Sequence, residues 1–139
     1  MTVYYDEINI QTKGEVDIID ITDEIQKKVE KSGLKHGIVC VFVKGSTGAL
    51  TSTEYEPGLK KDIPRMLQRI APKEEYYNHH ETWHDDNGHS HVRASLIGPS
   101  LTIPFRNGKI IHGTWQQFVF LELDTSPRDR NIIVQIVGG

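Results

Sequence analysis

Five of the seven histidines, His79, His80, His84, His89 and His91, fall within thirteen consecutive positions of a 139-residue chain. Imidazole is the commonest protein ligand for borderline metals, and Glu81, Asp85 and Asp86 lie in the same stretch as further ligands or as carboxylates to orient the rings. The residue types are equally compatible with a divalent metal site and with a solvated histidine-rich loop. Spacing supplies an internal test. In an extended segment His89 and His91 point to one side and share an ion, whereas two residues apart on a regular helix they diverge by about 200°. A helix must therefore begin after His89 if both are to bind one metal.

Other groups suit anions or a pocket wall. Arg93, Arg128 and Arg130 carry the planar fork that matches phosphate or carboxylate, although surface arginines are common and solubility alone explains two in a polar turn. Gly45-Ser46-Thr47-Gly48 could offer backbone N–H groups and hydroxyls to an anion but lacks the Gly-Lys-Ser/Thr ending of a nucleotide-binding P-loop. Gly113-Thr114-Trp115-Gln116 combines a permissive backbone, a hydroxyl, a large ring and an amide, which fits a pocket wall and equally a tight turn with a buried Trp. Glu54 stands at the end of a Thr-rich segment as a general base or a solvated strand end, the residues favouring the latter.

Elements to carry these groups follow from periodicity. Segments 3–10 and 15–18 alternate around Lys13-Gly14, predicting an N-terminal hairpin. Ile21, Ile25 and Val29 recur every four residues, with Asp20 or Thr22 as cap and Ser32-Gly33 as stop, predicting a helix. Ile38 to Val43 is apolar at successive positions and reads as a central strand buried on both faces, with its Cys40 a buried small hydrophobe. A second helix opens at Pro57 and ends at Ala71-Pro72, a long surface loop covers 73–88, and a short helix is preferred over a strand for 89–97. A hairpin across Asn107-Gly108 and two strands, Phe118 to Leu123 and Asn131 to Val137, complete a chain with neither repeat nor linker.

Composition narrows the function class. One core is expected at this length, with 37% hydrophobic and 25% charged residues excluding disordered and low-complexity classes. Sixteen Lys+Arg against nineteen Asp+Glu leave a net charge of −3, which argues against general attraction to nucleic acid or anionic lipid. The longest apolar run, six residues, is far short of the roughly 20 needed to span a bilayer. With acids early in the N-terminal segment and one cysteine, a reducing cytoplasm is the expected compartment.

Larger patterns carry a resemblance. Asn87-Gly88-His89-Ser90-His91-Val92-Arg93-Ala94-Ser95-Leu96-Ile97-Gly98-Pro99-Ser100, Thr102-Ile103-Pro104, Gly113-Thr114-Trp115-Gln116 and Pro127-Arg128-Asp129-Arg130 resemble, in order and spacing, the YjbQ family, also called the secondary thiamine-phosphate synthase family. The similarity extends over nearly the whole chain, including residues 45–51, Glu54, Tyr77, His79 and Trp83. It implies a single α+β domain over 1–139, with a β-sandwich-like core of mostly antiparallel strands flanked by helices, assembled as a homotrimer with sites near subunit boundaries. It also implies displacement of pyrophosphate from a hydroxymethylpyrimidine diphosphate by a thiazole phosphate. Carried over by position, His79, His89 and His91 match the family histidines, Glu54 its strand-end acid, Thr114 and Gln116 its Gly-Thr-Trp-Gln turn, and Arg128 and Arg130 its basic pair. Many members have His where this chain has Gly45.

The combined expectation is a divalent ion, zinc or similar, on His79, His89 and His91. Glu54 and His91 are the catalytic candidates, and Thr114, Gln116, Arg128 and Arg130 receive a small phosphorylated metabolite, metal plus arginine neutralising the leaving pyrophosphate. A metal-dependent hydrolase of a small phosphorylated metabolite and a non-catalytic metal- or metabolite-binding protein are the alternatives.

Overall fold

A computed structural model describes all 139 residues. Two antiparallel sheets and four helices form one α+β domain. The larger sheet has the order β1-β8-β3-β5-β6, from β1 (Thr2–Gln11), β8 (Asp129–Gly138), β3 (Gly37–Val43), β5 (Ser100–Arg106) and β6 (Lys109–Ile110). The smaller runs β2-β7-β4, from β2 (Asp17–Asp20), β7 (Gln117–Glu122) and β4 (Gly48–Thr53). The segment expected to be an N-terminal hairpin is divided between them: β1 pairs with β8 and β2 pairs with β7. Local alternation specifies strands but not partners, and the long partner β8 offers β1 ten paired positions.

Packing explains which apolar strands are buried on one face and which on two. The inner face of the larger sheet, through Ile8, Val39, Val41, Ile103, Ile132 and Val134, packs with Phe118 and Phe120 of β7 and with Ile25 and Val29 of α1 (Thr22–Ser32). The opposite face of the small sheet, through Val119 and Leu121, packs on Leu67 of α2 (Pro57–Ile70) and Ala94 of α4 (Gly88–Ile97). β7 is therefore covered on both sides along most of its length, and β4 shares this at Ala49 and Leu50. β3 lies centrally in its sheet but is covered on one side: Val39, Val41 and Val43 face inward, and Ile38, Cys40 and Phe42 are exposed. Cys40 is accordingly not the buried hydrophobe its neighbours suggested. An unbroken apolar run establishes strand character, not the presence of a second layer.

Helix boundaries follow their local chemistry. The Asp20 carboxylate accepts from the Thr22 backbone N–H at 2.9 Å, and α1 stops at Gly33. Pro57 occupies the first turn of α2, where its missing N–H costs nothing, and Glu56 caps the Gly58 and Leu59 N–H groups. Pro64 lies within α2 without ending it. The stretch 73–88 contains a short helix, α3 (His79–Trp83), which places two adjacent histidines beside the start of α4.

No helix of the chain is long and apolar enough to cross a membrane. Phe120 is fully buried at the centre of the layered core, so Phe120→Ala should cost about 3–5 kcal/mol through lost burial and the cavity left behind. Urea unfolding monitored by circular dichroism measures this, and a loss below 1 kcal/mol would contradict the packing described.

Candidate functional site

The register of α4 decides the fate of its two histidines. Because the helix begins at Gly88, ahead of His89, the two rings leave it in different directions. His89 is 1% exposed, and its Nε2 lies 2.7 Å from Glu15 Oε2. The other Glu15 oxygen lies 2.5 Å from Lys73 Nζ. His91 instead approaches His79, the ring centroids 4.3 Å apart and tilted by 48°. Of the three histidines expected to hold one ion, the structure brings together His79 and His91 and commits His89 to an internal clasp. Gly88 contributes to this arrangement because a Cβ there would lie 2.3 Å from the Tyr77 Cβ, so only glycine lets Tyr77 pack over the start of α4.

Around the His79–His91 pair lie groups that sequence reasoning had assigned only loosely or not at all. His79 Nε2 is 3.2 Å from Asp85 Oδ1. The Asn87 amide lies beside this pair, and with its NH2 toward it donates to Asp85 Oδ1 at 2.8 Å. Burial, and then the neighbouring His79, lower the His91 pKa, with Asp124 and Asp85 opposing. His91 is thus held in the neutral form suited to accept a proton or bind a cation.

Asp124 links this pair to the arginines. It is 2% exposed, accepts from Thr47 Oγ1 at 2.9 Å and lies 2.6 Å from Arg128 Nη2. Burial pushes its pKa up, but the Thr125 N–H, Thr47 and Arg128 outweigh that and hold it below the ordinary carboxylate value. Arg128 remains 47% exposed and has donors to spare for an anion.

Arg130 has a different environment. It is 8% exposed, and its Nε and Nη2 bind the two oxygens of buried Glu122 at 2.8 and 2.5 Å, while Nη2 also reaches Thr47 Oγ1 at 2.9 Å. Thr12 donates to the same Glu122 at 2.8 Å. Arg130 is therefore a cross-link between the two sheets beneath the site, with its fork already engaged. Gly45 lies above it with φ +100°, a conformation that strains any side chain, and a Cβ there would be 3.4 Å from Arg130 Nη1.

The remaining candidates lie elsewhere. Thr114 and Trp115 are exposed on the loop preceding β7, so the buried-Trp version of this turn does not hold. Gln116 closes the turn by accepting from the Gly113 N–H at 3.0 Å and donating to Ser52 Oγ at 3.1 Å. Glu54 is exposed just beyond β4. Arg93 is buried and donates to the Ala71 carbonyl and the Gln68 amide oxygen, so it joins α4 to the end of α2. Glu15 was missed as a partner because 74 residues separate it from His89, whereas Asp124 and Glu122 lie only four and eight residues from Arg128 and Arg130 and their pairing depends on the bend of the chain between β7 and β8.

No three His, Cys, Asp or Glu side chains converge into a finished metal cage. The donor chemistry of His79 and His91, with carboxylates alongside, fits a divalent cation whose other positions are taken by water or substrate oxygen; engaged His89 does not fit as the third ligand.

Arg130→Ala leaves Glu122 buried and uncompensated and should cost about 3–5 kcal/mol, whereas Arg128→Ala should cost less, about 1 kcal/mol, because Arg128 is half exposed and Asp124 keeps Thr47 and the Thr125 N–H. Chemical denaturation of the two variants distinguishes the roles, and equal losses would contradict them. The Glu15 clasp has a pH signature. Burial raises the Glu15 pKa, but Lys73 and His89 outweigh it, and the net value is lowered from 4.5. Its stabilisation is fully present above pH 4.5 and declines as the pH falls through the depressed folded value. Glu15→Gln should therefore flatten the dependence of Tm on pH below 4.5, whereas an unchanged acid limb would exclude the clasp.

The comparisons agree with this architecture. The family description "UPF0047 protein YjbQ-like" matches residues 6–139. A UPF0047 protein of Methanothermobacter thermautotrophicus is 41% identical over 138 residues, covering 99% of this chain and 94% of that one, and YugU of Bacillus subtilis is 30% identical, covering 94% and 97%. Among solved structures, a YbjQ-like protein of unknown function from Sulfolobus solfataricus superposes with TM-score 0.93 at 38% identity, covering 99% of both chains. A YjbQ/UPF0047 protein from Clostridium acetobutylicum superposes at 0.87 and 37% identity, covering 95% and 99%. With matching sequence, layers and topology along its whole length, this chain belongs to the YjbQ/UPF0047 family.

Proposed function

We propose that the protein acts on a small phosphorylated metabolite, as a secondary thiamine-phosphate synthase joining a hydroxymethylpyrimidine diphosphate to a thiazole phosphate with loss of pyrophosphate. The observation that carries this reading is the close approach of His79 and His91 near buried Asp124, whose carboxylate holds partly exposed Arg128. Asp124 orients the Arg128 fork and leaves its outer N–H groups to meet phosphate. His91 holds or accepts a proton beside the leaving group, and Asp85 fixes the orientation of His79. A divalent ion on His79 and His91 would supply charge neutralisation for pyrophosphate when bound. Arg130 positions the site through Glu122 and Thr47 and does not touch substrate. Thr114 and Gln116, on an exposed loop apart from the histidine pair, enter this reading as substrate contacts through the family resemblance alone; Glu54 is exposed at the end of β4, the strand that carries the Gln116 partner Ser52.

We propose assembly as a homotrimer in the cytoplasm, the number three resting on the family resemblance. The uncovered outer face of the larger sheet supports association, because Val3, Tyr5, Ile38 and Phe42 are exposed on it.

Incubation of the protein with both phosphorylated precursors, with and without zinc, manganese or nickel, tests the activity by formation of thiamine phosphate. The expected result is turnover that His91→Ala abolishes; no product from folded wild type under any of these conditions would overturn the synthase assignment. Arg128→Ala should weaken binding of the phosphorylated ligands about tenfold or more, the magnitude of a charge-assisted hydrogen bond. Unchanged affinity by calorimetry would remove Arg128 from the site.

A further inference from the structure

His80 and His84 form a second imidazole pair, separate from His79 and His91 although adjacent to it in sequence. They sit four residues apart across α3 and its C-terminal end, so the same helical turn carries both rings. Their centroids are 5.4 Å apart and their planes nearly perpendicular, at 89°. Two imidazoles bound to one tetrahedral divalent ion place their centroids about 5.2 Å apart, given a metal–nitrogen distance of about 2.1 Å. The ring separation is thus within a few tenths of an ångström of the one a shared ion requires.

The surroundings match what a ligating histidine needs behind it. His80 Nδ1 lies 3.1 Å from Asp86 Oδ1. The Asp86 backbone N–H also approaches Nδ1, at 3.3 Å, so Nδ1 meets a donor and an acceptor from one residue; with a cation on Nε2 the Nδ1–H donates to the carboxylate, the carboxylate–histidine arrangement that orients metal-binding imidazoles. His80 is 41% exposed, Asp86 88% exposed and His84 exposed, so an ion can reach the pair without opening the fold. His80 and Asp86 also border an open cleft of about 540 Å³ with Lys73, Tyr76 and Tyr77, leaving room for the waters that would complete the coordination sphere.

We propose that His80 and His84, supported by Asp86, form a two-imidazole surface site for a borderline divalent cation such as nickel or zinc, independent of the His79–His91 site. Two protein ligands make it an exchangeable site rather than a structural one. Bound metal would tie α3 to Asp86 and so order the segment leading into α4. The site uses neither Glu15 nor Arg128 and does not depend on the synthase reading.

Calorimetric titration of the full chain with nickel alone, and again with zinc alone, tests it in the wild type and in two double variants. His80→Ala/His84→Ala should lose one equivalent of binding or weaken it at least tenfold, while His79→Ala/His91→Ala should retain that equivalent. Asp86→Asn keeps both rings and should weaken the same equivalent by about tenfold, the effect of removing an orienting carboxylate. Thermal melting monitored by circular dichroism confirms that each variant is folded. Wild-type stoichiometry and affinity in folded His80→Ala/His84→Ala, or no metal binding by the wild type, would overturn the proposal.

Discussion

Buried Glu122 is the constraint on which the rest of this molecule depends. It lies on β7 in line with Phe118 and Phe120, on the face turned toward the larger sheet, where apolar packing would otherwise continue. A carboxylate in that position is tolerated because Arg130 meets both of its oxygens and Thr12 and the Asp124 N–H supply further hydrogen bonds. Arg130 and Thr12 belong to the larger sheet or its immediate extension and Glu122 to the smaller, so this polar cluster fixes the relative placement of the two layers at one end. Asp124, two residues beyond Glu122, inherits its position from that anchor. Arg128 and the surroundings of His91 inherit theirs from Asp124.

The division between anchoring and chemistry follows burial. Arg128 and Arg130 are two residues apart in a short basic motif, yet one points outward with free donors and the other is enclosed and fully engaged. His89 and His91 repeat the contrast on a helix. In both motifs one member of a pair holds the scaffold and its partner faces the solvent-accessible site, so a motif that looks like one functional unit in the sequence divides into two roles in space.

Most elements were legible from the sequence because their signals are local. The four-residue spacing of Ile21, Ile25 and Val29, the Pro57 helix start, and the Asn107-Gly108 turn between β5 and β6 all correspond to what forms. The misreadings concern relations between distant segments. Alternation around Lys13-Gly14 carried no information that β1 and β2 enter different sheets, and the apolar run around Cys40 did not reveal that its sheet has one bare face. The same reason hid part of the site: Glu15 meets His89 across 74 residues, and Thr47 meets Asp124 across 77. The histidine cluster was visible at once, but its division into separate pairs depended on helix phase, which a shift of one residue in the start of α4 would have changed.

That phase also makes the two faces of α4 separable under mutation. His89 is held to the properties of an interior ring, in size, packing against Tyr77 and fit to Glu15, whereas His91 is bounded mainly by what enters from outside. The reaction surface can therefore be altered at the outer position while the inner one goes on holding the β1–β2 loop to the helix. A scaffold wired in this way can exchange one ligand preference for another without first surrendering its shape.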